Sequence, residues 1–192
     1  MGIMKVKRII FYLLVIGIVA VISGCVRYPG EPGPEPGETE YQLEVTVEVA
    51  GIIDSSDGMY YIVMDADGDS VDGPRAEVND WDDEYYYLKL ENDSFYFAQV
   101  KDDVETFYGG TYSENKLQAT IPLSDLEDPN SIDINILTTD SENITYDSLD
   151  NGYFTINAKT LGYIPDILDD HVDSQDGVDF DIVKVTAKIT IP

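Results

Sequence analysis

The stretch YQLEVTVEV, residues 41–49, alternates without a break. Tyr41, Leu43, Val45, Val47 and Val49 fall on one side; Gln42, Glu44, Thr46 and Glu48 fall on the other. Successive side chains of a strand point to opposite faces, so a period of two predicts a half-buried strand with one wet face. The same pattern returns along the chain. MYYIVMDA (59–66) follows a turn at DSSDG (54–58), and EYYYLKLE (84–91) is joined to SFYFAQV (94–100) by Asn92-Asp93, a short hairpin link. KLQATIPL (116–123) follows Gly109-Gly110, and SIDINILTTD (131–140) sets Ile132, Ile134 and Ile136 on one face. NITYDSL (143–149) and GYFTINA (152–158) read as a further pair around Asn151-Gly152.

The last segment is VDFDIVKVTAKITI (178–191). Val183, Val185, Ala187, Ile189 and Ile191 share one parity, and Val178, Phe180 and Ile182 hold the other. That change predicts a bulge or bend near Ile182-Val183. The first and last strands both carry acidic or Lys/Thr residues on their polar side, so they are expected to be neighbours. Helical signals are weak. PLSDLEDP (122–129) suits one turn with Ser124 as cap and Pro129 closing it, and IPDILDDHV (164–172) suits another. Many short strands separated by turn residues predict an all-β fold, an antiparallel two-sheet sandwich of jelly-roll type.

Ahead of this domain the composition changes twice. Lys5, Lys7 and Arg8 precede an apolar run from Ile9 to Ile22, and Ile22-Ser-Gly-Cys25 follows. A positive start, a short apolar run and small residues at a cut site make an export signal. Ile22-Ser-Gly-Cys25 resembles a lipobox, in which cleavage precedes a cysteine whose thiol takes a lipid. The other reading is an uncleaved anchor running from Ile9 to Val26. Either one places the rest of the chain outside the cytoplasm, anchored in the membrane. Tyr28 to Glu40 is a run of proline, glycine and glutamate, which reads as an extended tether. The expected organisation is a signal at 1–24, Cys25 with its tether at 25–40, and the sandwich at 41–192. Cys25 is the only cysteine, so no disulfide can form within the chain and the domain must hold by its core.

Charge narrows the partners. Three of the eleven Lys and Arg lie in the first eight residues. Eight then face 38 Asp and Glu, a net charge of −30 from Cys25 onward. Such a surface repels nucleic acid and anionic headgroups and attracts cations. A high-salt habitat selects for the same acidity.

Four segments together resemble a known family. They are YYIVMDADGDSVDGP (60–74), DDEYYYLKL (82–90), KLQATIPLSDLEDPNSIDINILTTD (116–140) and ITYDSL (144–149). In them a strand ending in Asp-x-Asp is followed by an aromatic strand, an Ile-Pro-Leu-Ser-x-Leu-x-Asp-Pro turn and a late Tyr-Asp. The set is similar to the DOMON-like superfamily of β-sandwiches, which includes the family 9 carbohydrate-binding modules. The resemblance implies a two-sheet jelly roll that binds a sugar, or haem in other branches, often with calcium as a structural ion. This chain departs from the pattern in two ways. Trp81 is its only tryptophan, so Tyr85, Tyr86, Tyr87, Tyr60, Tyr61 or Tyr96 must supply a second face for a sugar ring. Past Cys25, His171, Met59 and Met64 are the only axial-ligand candidates for haem, which argues against it.

Candidate sites follow from the residue chemistry. Trp81, Tyr85, Tyr86 and Tyr87 mix rings with carboxylates, the combination that stacks on sugar C–H faces and accepts sugar hydroxyls. Strand parity requires some of these tyrosines to face the core. Asp65, Asp67, Asp69 and Asp72 offer hard oxygen ligands suited to calcium, joined by Asp80, Asp82 or Asp83. They do not form an EF-hand loop, because glycine falls at Gly68, two places early. The alternative is a solvated acidic turn. His171 reads as a solvated loop residue among carboxylates. Asn92 and Asn143 head glycosylation sequons. No nucleophile, metal triad or phosphate loop is legible, so the chain is expected not to be an enzyme. The expected function is a surface lipoprotein binding glycan, or alternatively an envelope protein-interaction module with no small ligand.

Overall fold

The computed structural model describes residues 40–68, 71–102, 104–168 and 177–192. The signal, Cys25, the tether up to residue 39, Asp69 and His171 lie outside the described residues. Among the described residues twelve strands follow one another: β1 (Gln42–Val49), β2 (Met59–Asp65), β3 (Tyr86–Glu91), β4 (Ser94–Gln99), β5 (Thr106–Phe107), β6 (Gly110–Ser113), β7 (Lys116–Pro122), β8 (Ser131–Thr139), β9 (Thr145–Ser148), β10 (Phe154–Asn157), β11 (Gly162–Leu168) and β12 (Ile182–Thr190). They form two antiparallel sheets packed face to face. One has the order β11-β12-β1-β7-β6, and the other β10-β8-β2-β3-β4-β5, with β9 also on β8.

The opening stretch occupies the middle of the first sheet. Leu43, Val45, Val47 and Val49 are buried in the core, beside Leu117, Ala119 and Ile121 of β7 and Val185, Ala187 and Ile189 of β12. Tyr60, Ile62, Met64, Leu88, Leu90, Ile132, Ile134 and Ile136 of the second sheet complete that core. Fully burying each such side chain contributes about 1.5–3 kcal/mol. The polar side of β1 carries an ion-pair ladder. Glu44 lies 2.7 Å from Lys188, and Glu48 lies 2.9 Å from Lys116 and 3.0 Å from Lys184. Pairs of this exposure add little stability, but a one-residue slip would turn every Val of β1 outward, so the ladder and the core agree on one register.

Four local expectations meet particular outcomes. β12 bulges where the parity changes: Glu48 pairs with Lys184 and Val49 with Ile182, which leaves Val183 over. Ile182 faces the core and Val183 is half-buried. The 122–129 turn is a 3-10 turn over Leu123–Leu126, but Ser124 sits inside it and makes no cap. It closes instead through Glu127 in the left-handed region and the Asp128 N–H bonded to the Leu123 carbonyl at 2.9 Å. Residues 164–168 are strand, not helix, for Pro165 lies in the irregularity between Ile164 and Ile167 of an edge strand, where its missing N–H is tolerated.

Last, β9 and β10 do not pair with each other. Both line one edge of β8, end to end, and residues 149–153 bow out between them. β8 is wholly buried from Ile132 to Thr139, and so is all of β2. A strand covered on both faces reads as a continuous apolar run, and here the second cover is the described end of the β2–β3 connection, residues 71–85.

Candidate functional site

Residues 71–85 lie on the outer face of the second sheet. The Asn135 side-chain N–H donates to the Pro74 carbonyl at 3.0 Å, and the Thr145 hydroxyl donates to the Ala76 carbonyl at 2.8 Å. Gly73 is buried against Tyr153; a Cβ there would meet the ring at 2.5 Å, so only glycine lets the backbone lie this low. Beneath the segment sits a second apolar cluster of Met59, Tyr61, Val63, Tyr85 and Leu137. A short 3-10 turn, Val78–Asp80, then delivers Trp81 to the rim of that cluster. The indole N–H donates to the Arg75 carbonyl at 2.9 Å, which fixes the ring's orientation.

Trp81 meets two tyrosines there. Its ring centroid is 5.3 Å from that of Tyr61, edge to face at 83°, and 5.7 Å from that of Tyr87, tilted at 39°. These rings form one wall of a cleft of about 370 Å³. Met59, Val78 and Val100 add apolar lining, and the polar lining groups are Lys89, Glu91, Glu105, Ser141 and Asn143. Tyr87 donates its hydroxyl proton to Glu105 Oε1 at 3.0 Å. The Tyr61 hydroxyl donates to Asn143 Oδ1 at 3.0 Å. Burial, followed by this carboxylate contact, raises the Tyr87 pKa; burial, followed by nearby Tyr87, Glu105 and Glu91, raises that of Tyr61. Both phenols therefore remain neutral hydrogen-bonding groups across the physiological range.

Of the four aromatic candidates, Trp81 and Tyr87 come together in the cleft. Tyr85 shares their sheet face but lies beneath residues 71–85, 1 % exposed. Tyr86 points the other way, into the core between the sheets, where it stacks on Phe97 with centroids 6.0 Å apart. Tyr60 is also a core residue. Tyr61 joins the cleft, and Tyr96 lies under the Lys89 ammonium at 5.4 Å. Sequence reasoning missed Lys89, Glu91, Glu105 and Asn143. Parity could have supplied the first two, since residues 87, 89 and 91 share a face of β3 and Tyr61 pairs with Lys89.

The aspartates are more dispersed. Asp65 ends β2 on the outer face, 3 % exposed, with Asp133 of β8 opposite it. Its Oδ1 accepts the Asp67 N–H at 3.1 Å. Asp72 is exposed, and Asp82 turns toward Arg75 at 3.9 Å. Among the described residues, no three acidic, His or Cys side chains come close enough to hold a metal ion. The described members of the calcium set therefore do not form a cage. One buried acceptor stands unmatched near this pair: Asn135 Oδ1, two residues along β8 from Asp133. Met64 faces the core and Met59 the outer cluster, so the two candidate haem sulfurs lie on opposite faces of β2. No family model, curated protein or solved structure matches this chain.

Proposed function

We propose that residues 41–192 form a non-catalytic carbohydrate-binding module, carried on the outer side of the cell membrane by a lipid on Cys25 and a Pro/Gly/Glu tether. The observation that carries this reading is Trp81, held at the rim of a cleft beside Tyr61 and Tyr87 and facing Glu91, Glu105 and Asn143. A sugar ring offers an apolar C–H face and a girdle of hydroxyls. An aromatic wall accepts the first by burial, and carboxylate and amide oxygens accept the second. The resemblance to the family 9 carbohydrate-binding modules points the same way.

Two glutamates in a cleft also raise the question of hydrolysis. Glycosidases need one carboxyl to deliver a proton while the other acts as base or nucleophile. Here Glu91 and Glu105 both bind the same Lys89 ammonium, at 3.0 and 2.8 Å, which favours binding over proton delivery. A second reading, an envelope interaction module, rests on the exposed side chains of Leu161, Tyr163 and Leu168 along the β11 edge.

The test is a glycan array with the full chain, solubilised in a detergent that has no sugar headgroup. Parallel arms with calcium and with chelator test whether binding depends on that ion. Binding to a defined oligosaccharide that is lost in Trp81→Ala supports the sugar reading. Folded protein that ignores every glycan in both arms supports the interaction module.

A further inference from the structure

The charge of the cleft narrows its ligand, given the reading of this cleft as a sugar site. Among the described residues Lys89 is the one cation that lines it, and its ammonium is held by Glu91 Oε2 at 3.0 Å and Glu105 Oε1 at 2.8 Å. It also sits 5.4 Å over the Tyr96 ring. Only 10 % of the Lys89 side chain is exposed, against 33 % and 34 % for the two glutamates. Solvent therefore meets the two carboxylates more than it meets the Lys89 side chain. Glu91 Oε1 and Glu105 Oε2 are used by neither Lys89 nor Tyr87.

Arg75, on the Trp81 side, is drawn back to the Asp80 carbonyl at 3.4 Å and to Asp82 at 3.9 Å. Among the described lining residues, one ammonium against two carboxylates leaves a net charge of −1. A carboxylated or sulfated sugar would be desolvated beside two like charges with no free donor of opposite sign. A protonated amine would gain charge-assisted hydrogen bonds from the two unused carboxylate oxygens. We infer that the cleft takes sugar units that present donors and no negative charge, preferring an amine-bearing sugar to a neutral one and excluding anionic glycans.

Isothermal titration of the full chain tests this with three tetrasaccharides: glucosamine, N-acetylglucosamine and glucuronate. About 1 M salt, where the screening length is about 3 Å, suppresses diffuse attraction between an amine and an acidic protein. The glucosamine oligomer should bind about tenfold tighter than the acetylated one, and the glucuronate oligomer should give no heat. Glu91→Gln leaves the Lys89–Glu105 and Tyr87–Glu105 contacts in place. It should reduce the preference for the amine to less than about threefold, weakening the glucosamine oligomer more than the acetylated one. Circular dichroism confirms that the variant is folded. Glucuronate binding as tight as the others, or an amine preference that persists in Glu91→Gln, overturns the inference while leaving the sugar reading intact. Silence from all three oligomers overturns the inference, and the sugar reading then rests on the glycan array alone.

Discussion

Replacing Asp65 with asparagine should stabilise the domain at neutral pH and change nothing in acid. The carboxyl closes β2 on the covered face of the second sheet, opposite Asp133. Burial pushes its pKa from the ordinary 3.8 up to about 6. The Asp67 N–H pulls it back, and the carboxylates of Asp67, Asp133 and Glu84 add to the rise. Below 3.8 both folded and unfolded chains hold the proton, and the group contributes nothing. Between 3.8 and about 6 the unfolded chain releases its proton first, so stability falls as pH rises. Above about 6 the whole penalty is present, about 3 kcal/mol for that separation of pKa values. Asparagine keeps an oxygen for the Asp67 N–H and carries no charge. Urea unfolding at about pH 7.5 should show the variant more stable by about 2–3 kcal/mol. At about pH 3 the two proteins should agree within about 0.5 kcal/mol. An equal effect at both pH values would show that ionisation is not its source, and a loss at pH 7.5 would mean that something holds Asp65 as a carboxylate; either result refutes the burial penalty.

Other outcomes can be checked together. Trp81 is the only tryptophan, so its emission should shift to the blue when a sugar covers the indole; an unchanged spectrum at saturating ligand would place binding elsewhere. Trp81→Ala should abolish glycan binding yet cost only about 1–2 kcal/mol in urea, since the ring sits at the edge of the small cluster. Lys89→Met should leave Glu91 and Glu105 facing each other without a counter-ion, destabilising the domain by about 1–2 kcal/mol and less at acid pH. Cys25→Ser should release the protein from the membrane fraction with its domain folded; retention of an uncleaved form would identify residues 9–26 as a plain anchor.

What could be read in the sequence was whatever depends on neighbours along one strand. The alternation of 41–49 gave a half-buried strand with one wet face, and the parity change at Ile182-Val183 gave the bulge. Asn92-Asp93 gave the hairpin, and both residues adopt the left-handed backbone that Asn and Asp tolerate, with φ of 47° and 62°. Asn151-Gly152 did mark a turn, with Gly152 at φ 78°, but a turn signal does not say which strand its arms will pair with. Both arms found β8. Likewise, parity separated Tyr86 from Tyr85 and Tyr87 without saying which face was the core. Tyr85 is buried only because residues 71–85 cover it, and that segment has no period to read. Glu105 and Asn143 reach the cleft from connections remote in sequence from Trp81, a closeness that only tertiary packing creates.

The small cluster beneath residues 71–85 is distinct from the core between the sheets. The alternate side chains of β2 thus belong to two cooperative units of unequal size. Detaching 71–85 forfeits the cluster of Met59, Tyr61, Val63, Tyr85 and Leu137 and the segment's own hydrogen bonds to Asn135 and Thr145, while the larger core stays closed. Amides of 71–85 should then exchange with solvent sooner than those of β2 and β8. Trp81 belongs to this lesser unit, so measured affinity is the cleft's intrinsic affinity scaled by the fraction of molecules with the segment seated. Trimming Val63 or Leu137, neither of which lines the cleft, would weaken sugar binding through that fraction alone.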